Sequence, residues 1–270
     1  RGLAGIELDL LDQANEAFTS ALALRKKSGE YADVTMLASA YNNLALVPTR
    51  RSDYPTALRF NELAVQEMRS DPDYRDLVGY YVTLSNMADT LVSLEQFDAA
   101  ETAYAEALPG LLRFYGPTAE RTLLAGANYG RALAAQGLHT QAIDFLTDKA
   151  TEFDRQASSL GRSSVLTQLG RLHCQAGVVA DGLAAAQAAL QHREAHYPAE
   201  ASLRLESQAV VGYCMLQAGR LDEAHALLPA AYAGLRQSRG EQADLSLYAD
   251  WVAEVEQQLA LDQAAVVGPN

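Results

Sequence analysis

Four side-chain amides stand at matching places along the chain: Asn43, Asn86, Asn128 and Gln168. Each directly precedes a core-type residue (Leu44, Met87, Tyr129 and Leu169), and the series ends at Val210, which precedes Val211. An amide carries both donors and an acceptor. A stacked line of amides therefore suits an extended peptide, whose backbone offers complementary groups at every residue. Two positions beyond the core residue runs a second row: Leu46, Asp89, Arg131, Arg171 and Tyr213. Arg131 and Arg171 fall at the same place on neighbouring units. A guanidinium binds a carboxylate or phosphate through two parallel hydrogen bonds, so this pair points to an anionic ligand group. Tyr213 closes the row as an aromatic contact. A third row, Ser39, Val82, Leu124, Ser164 and Glu206, reads as small or apolar and leaves room for a ligand.

Other chemistry is poorly supported. The chain has no phosphate-binding glycine loop, no nucleophile elbow and no paired-cysteine motif. His192 and His196 are four apart on one helix face, a spacing that can seat a metal, but no third ligand accompanies them, and a solvated helix end is the better reading. His139 and His173 read as packing or surface residues. Cys174 and Cys214, 40 residues apart at nearly equivalent repeat positions, read as two reduced, buried thiols rather than a disulfide or metal set. No cofactor and no enzymatic activity are expected. A formal net charge of −13 argues against nucleic acid or an anionic membrane as partner. No apolar run has the length of a membrane helix.

These rows require a repeating scaffold, and the chain supplies one. A small residue recurs at Ala14, Ala57, Ala100, Ala142, Gly182 and Ala224, in steps of 43, 43, 42, 40 and 42. A period near 42 means stacked supersecondary units. Each unit reads as two helices. In the second, Leu37, Ala38, Tyr41, Leu44 and Ala45 form the apolar stripe of helix A, and Tyr54, Ala57, Leu58, Phe60, Ala64 and Val65 that of helix B. Asp53 is placed to cap helix B, with Pro55 in its first turn. Gly137, Gly177 and Gly219 mark tight turns between the two helices. The small residues let helix B approach helix A, where large ones would overpack. Pro72, Pro117 and Pro198 stop helix B, whereas Pro48, Pro109 and Pro229 fall inside helices and should bend them. Asp244 to Leu261 forms a last helix with an apolar stripe of Trp251, Val252, Val255 and Leu259 and a polar outer side, as a capping helix needs.

Leu44, Ala45, Tyr54, Ala57 and Ala64, with Leu221, Ala224 and Ala231, match the spaced pattern of tetratricopeptide repeats. The long period, Asn42-Asn43-Leu44-Ala45 and Tyr115-Gly116-Pro117 resemble the long variety found in kinesin light chains and many bacterial signalling proteins. The resemblance implies an all-α fold: a right-handed α-solenoid superhelix of about six helical hairpins with a C-terminal capping helix. The expected organisation is a single superhelical domain over 1–261, its first repeat truncated, and a loose tail over 262–270. Gly182, Ala185 and Ala186 depart from the pattern in the fifth unit, which predicts a thinly packed joint. The resemblance also implies that helix A lines a concave groove, which turns the rows toward a ligand. Asparagine before the core leucine is common in such long repeats, so the ladder has a second reading, the satisfaction of neighbouring helix ends. The arginines likewise have an alternative in pairing with Asp89 or acidic residues elsewhere.

The expected function is non-catalytic recognition of an extended peptide or partner segment, with Asn43, Asn86, Asp89, Asn128, Arg131, Gln168, Arg171 and Tyr213 as contacts. The partner is a protein or peptide carrying an acidic group, not nucleic acid or membrane, and the expected compartment is the cytoplasm. The alternative is a sensor or regulatory module of a larger bacterial signalling protein, such as a Ser/Thr kinase or transcription regulator, with an upstream domain in the same polypeptide. Its ligand is then a small molecule or an intramolecular segment.

Overall fold

The computed structural model describes residues 11–27, 34–70, 77–153, 160–240 and 245–267. These form helices α1 (Leu11–Lys27), α2 (Val34–Arg50), α3 (Tyr54–Ser70), α4 (Val78–Ser93), α5 (Phe97–Tyr115), α6 (Glu120–Ala135), α7 (His139–Phe153), α8 (Leu160–Gln175), α9 (Val179–His196), α10 (Ser202–Gln217), α11 (Leu221–Arg239) and α12 (Ser246–Val267). No strand occurs among the described residues, and the architecture is an all-α solenoid of antiparallel hairpins. The helices fall into two compact units, residues 1–117 with α1 to α5 and 118–270 with α6 to α12. The expected remnant of a first helix at Arg1 to Leu8, and the Pro72 linker, lie outside the described residues.

Every hairpin closes in the same way. The even-numbered helices α2 to α10 end in a six-to-one backbone bond: Asp53 N–H to Pro48 O at 2.8 Å, Gln96 to Leu91 at 2.9 Å, Leu138 to Leu133 at 3.0 Å, Val178 to His173 at 2.8 Å and Arg220 to Met215 at 2.9 Å. This is the Schellman closure, which needs one residue in the left-handed region. Gly137, Gly177 and Gly219 supply it with φ of 79°, 81° and 72°. In the first unit the position is taken by Ser52 and Glu95, each at φ 58°. Asp53 then caps α3, accepting from the Thr56 amide at 3.3 Å. Pro48, Pro109 and Pro229 lie inside α2, α5 and α11.

Of the recurring small residues, Ala14, Ala57, Ala100, Ala142 and Ala224 are wholly buried. The fifth joint is not thinly packed, contrary to the sequence expectation. A Cβ on Gly170 would lie 2.9 Å from both the Ala186 amide nitrogen and the Gly182 carbonyl oxygen. One on Gly182 would lie 2.8 Å from the Gly170 oxygen. Here α8 and α9 meet backbone to backbone, so glycine is required rather than tolerated.

Beside this contact the cysteines depart from expectation. Cys174 and Cys214 are joined in a disulfide, with their Cα atoms 5.3 Å apart, and are not the two reduced thiols the sequence suggests. Their separation of one repeat puts them on neighbouring helices α8 and α10, within bonding reach. The C-terminal helix also differs: α12 continues to Val267, where a loose tail is expected from residue 262. Leu261-Asp262-Gln263-Ala264-Ala265 is rich in good helix formers. Trp251 and Val255 are buried against α10 and α11 as a capping helix requires.

Three outcomes follow. Denatured, unreduced protein should show no free thiol, since the chain has only 2 cysteines. Closing a 40-residue separation removes chain entropy worth about 4 kcal/mol from the unfolded state. Reduction should therefore lower stability in urea by about 2–4 kcal/mol at unchanged helix content. Ser52→Gly and Glu95→Gly should each raise stability by about 0.5–1 kcal/mol, because the left-handed strain relieved (about 1–2 kcal/mol) exceeds the added chain entropy of glycine. Equal or lower urea midpoints would contradict this.

Candidate functional site

In the second unit, α6, α8, α10 and α12 bring together Arg131, Gln168, Arg171, Tyr213 and Tyr248. Arg131 is half-buried on α6, and its Nε is buried with no hydrogen-bond partner. Arg171 lies one repeat further, on α8. Its Nε and Nη2 both donate to Gln168 Oε1, at 3.3 and 3.2 Å. Among the described residues neither arginine forms an ion pair with a carboxylate. Burial pulls the Arg171 pKa down. The ring hydroxyls of Tyr248 and Tyr213 oppose that shift, while the positive charge of Arg131 reinforces it. Two guanidinium groups thus share a partly desolvated place with no ion pair to either, while Glu254 and Glu206 act on the neighbouring Tyr213 and Tyr248, an arrangement that costs free energy.

Tyr213 is buried, and its ring stacks on Trp251 with centroids 4.4 Å apart and planes 16° from parallel. Tyr248 meets the same indole edge-on at 5.3 Å. The face of the Tyr213 ring is therefore covered by α12. Burial raises the pKa of both tyrosines, so each keeps its proton and stays a hydrogen-bond donor at neutral pH.

The contrast is Arg193 on α9, which is buried and fully engaged. Its Nε donates to Ser163 Oγ at 3.3 Å, Nη2 to Ser164 Oγ at 3.0 Å, and Nη1 to Ser207 Oγ at 3.0 Å and to the Leu203 carbonyl. Glu206 lies 3.7 Å away and also pairs with Arg239. Burial lowers the Arg193 pKa and the charge of Glu206 opposes the shift. Ser164 and Glu206 belong to the third row, so that row is engaged internally here rather than left open.

In the first unit, Asn43 is half-buried on α2. Asn86 on α4 donates from Nδ2 to Asn42 Oδ1 at 2.9 Å, tying α4 to α2. Asp89 accepts from the Tyr104 hydroxyl. The two residues help line a cavity of about 140 Å³ whose walls come from α2, α3 and α4. In the second unit Asn128 is half-buried on α6. Of the amide row, then, Asn86, Asn128 and Gln168 are engaged internally, and the bonds of Asn86 and Gln168 link or orient neighbouring side chains.

Sequence reasoning did not single out Asn42, Asn61, Arg193 or Tyr248. Asn61 alone left a signal, a polar residue at a helix B position that is apolar in every other unit. His192 and His196 stack on each other with centroids 4.4 Å apart, and His196 Nδ1 meets the His192 carbonyl at 2.7 Å. Among the described residues no group of three or more His, Cys, Asp or Glu side chains is placed to hold a metal ion. No described helix is long and apolar enough to cross a membrane.

Hairpins of this length, closed by the same turn and the same small residue, define a helical-repeat solenoid. Residues 80–148 of the chain match the tetratricopeptide repeat model. Its fold is similar to that of BtubC (BKLC) from P. vanneervenii, at 18% identity and TM-score 0.62 over 86% of this chain and 93% of the other. It is similar to a putative kinesin light chain with nearly identical repeats from Podosopora anserina, at 16% identity and TM-score 0.57 over 76% of this chain and 98% of the other. A Rap protein complexed with competence and sporulation factor aligns at 14% identity and TM-score 0.61, over 96% of this chain and 74% of its own. A comparison with curated proteins found no match.

The Arg193 cluster makes a stability prediction. Arg193→Met should cost about 3 kcal/mol in urea unfolding, because it strands three serine hydroxyls and a carbonyl that the guanidinium now satisfies. A loss under about 1 kcal/mol would show that the cluster is rehydrated rather than buried.

Proposed function

We propose that the array is a non-catalytic recognition module and that its second unit binds an anionic group of an extended peptide or partner segment. The observation that carries this reading is the Arg131–Arg171 pair: two partly desolvated guanidiniums, one with a buried unpartnered Nε, and no ion pair to either among the described residues. A carboxylate or phosphate arriving there gains charge-assisted hydrogen bonds and relieves the repulsion of the pair. Gln168, held by Arg171, is oriented beside it, and Asn128 holds the matching place on α6. Asn43, Asn86 and Asp89 hold the matching places in the first unit, and Tyr213 shapes the far side of the arginine cluster through its stack with Trp251. The acidic chain disfavours nucleic acid and anionic membrane as competitors.

A regulatory reading is the second possibility. It draws on the likeness to a Rap protein complexed with competence and sporulation factor. On this reading the anion site senses a small molecule or a segment of the same polypeptide for a larger signalling protein. The Cys174–Cys214 bond suits an oxidising compartment better than the cytoplasm expected from sequence.

Panning a random-peptide display library against the protein tests the binding reading. Enriched peptides should share an acidic residue or a free C-terminal carboxylate. Arg131→Ala and Arg171→Ala should each weaken them about 10- to 100-fold, as expected for losing one charged hydrogen bond of about 1.5–3 kcal/mol. Helix content should be unchanged. Enrichment of peptides without an acid group, or full affinity in both variants, would refute the assignment.

A further inference from the structure

The cavity of the first unit has a composition that the anion site does not explain. Four residues after the small anchor, helix B carries Phe18, Tyr104, Leu146, Ala186 and Leu228 in the other units, all buried. In the second repeat the same place is Asn61, which is 1% exposed. Its Nδ2 donates to Thr90 Oγ1 at 3.1 Å and to the Asn86 carbonyl at 3.4 Å. Its Oδ1 is buried and has no partner. The reverse amide orientation would set that oxygen against the Asn86 carbonyl oxygen, so the network fixes Oδ1 as the idle atom. An idle buried acceptor is destabilising, where leucine or phenylalanine would fit the repeat.

The neighbouring wall has the same polarity. Thr49 donates its hydroxyl hydrogen to the Ala45 carbonyl at 2.7 Å, Thr90 to Asn86 at 2.9 Å, and Ser93 to Asp89 at 3.1 Å. A hydroxyl has one hydrogen and two lone pairs. With their hydrogens turned back onto their own helices, these three side chains offer the cavity acceptors only. The carboxylate of Asp89 adds negative charge to the lining, and Ala45 and Leu46 supply an apolar stretch. The volume of about 140 Å³ admits one amino-acid-sized side chain.

We propose that this cavity is a binding site for an ammonium group on a short aliphatic stem, held by Asn61 Oδ1, the hydroxyl lone pairs and the charge of Asp89. A lysine side chain and a free aliphatic amine share this chemistry. The site goes beyond the anion-binding reading and lies in the other compact unit, so amine binding and acid binding are measured separately on one protein and either can fail alone.

The test is an NMR titration of the full chain with N-acetyl-lysine methylamide, n-butylammonium and the uncharged N-acetyl-norleucine methylamide. At least one of the two amines should shift the side-chain amide signals of Asn61 and Asn86 and bind at least tenfold more tightly than the norleucine derivative. The lysine derivative alone indicates a peptide source, and butylammonium a free amine. Asn61→Leu should weaken amine binding at least tenfold yet raise the melting temperature, and Asp89→Asn should weaken binding with little change in melting. Equal binding of the norleucine derivative, or no binding of either amine, would overturn the proposal. So would an Asn61→Leu variant that keeps its affinity or melts lower, since Asn61 would then serve the fold alone.

Discussion

The structure depends on the near absence of side chain where the two helices of each hairpin cross. Among the described residues, alanine at four of these crossings, and glycine at the fifth, lets the axes come close enough for the flanking large residues to interlock. The Schellman turn then fixes the rotation of one helix against the other. Together they set which face of each even-numbered helix points away from its partner. Residues at a constant offset from the core position therefore face alike in successive hairpins of one compact unit, as Arg131 and Arg171 do in the second.

At the α8–α9 crossing the constraint is strictest. Gly170 and Gly182 approach backbone to backbone, and Ala186 fills the place held by Phe18 or Leu146 in other units. A smaller core normally loosens a joint, yet here loss of volume is matched by closer approach. The same closeness brings Cys174 beside Gly182 and leaves Cys214 on α10 facing it across one repeat. Cross-linking α8 to α10 and contracting α8 onto α9 are two aspects of a single local solution. Arg193 completes it from the other end of α9, bridging serines of α8 and α10.

Much of this was legible in the sequence, and the limits were physical. The period, the small anchors, the Asp53 cap and the turn glycines are local signals, and each corresponds to a helix boundary or crossing. Ser52 and Glu95 were not readable as left-handed residues, because the turn geometry imposes that conformation against their own preference. The cysteine spacing of one repeat contained the disulfide, but only the glycine-to-glycine approach shows that α8 and α10 come within reach. Arg193 looks like a surface arginine near a helix end until three serines from two other helices enclose it. Of the site residues, the arginine pair was visible as a row. What the sequence could not show is which members are already engaged, since that depends on partners 3 to 44 residues away, as with Gln168 and Asn42.

Buried polar groups separate the structural from the available once every partner is counted. Arg193 and Asn86 are satisfied within the fold, and their worth is geometric: each ties neighbouring helices together at a defined offset. Arg131 Nε and Asn61 Oδ1 are buried in equally confined places and left idle. A fold that satisfies a wholly buried guanidinium with three serines, a carbonyl and a carboxylate has the means to satisfy these two atoms, and a leucine at 61 would remove one cost outright. Their sense also differs in a chemically coherent way. Around Arg131 and Arg171 the nearby tyrosines keep their protons, so donors are in surplus. Around Asn61 the hydroxyl hydrogens are turned away, so acceptors are in surplus.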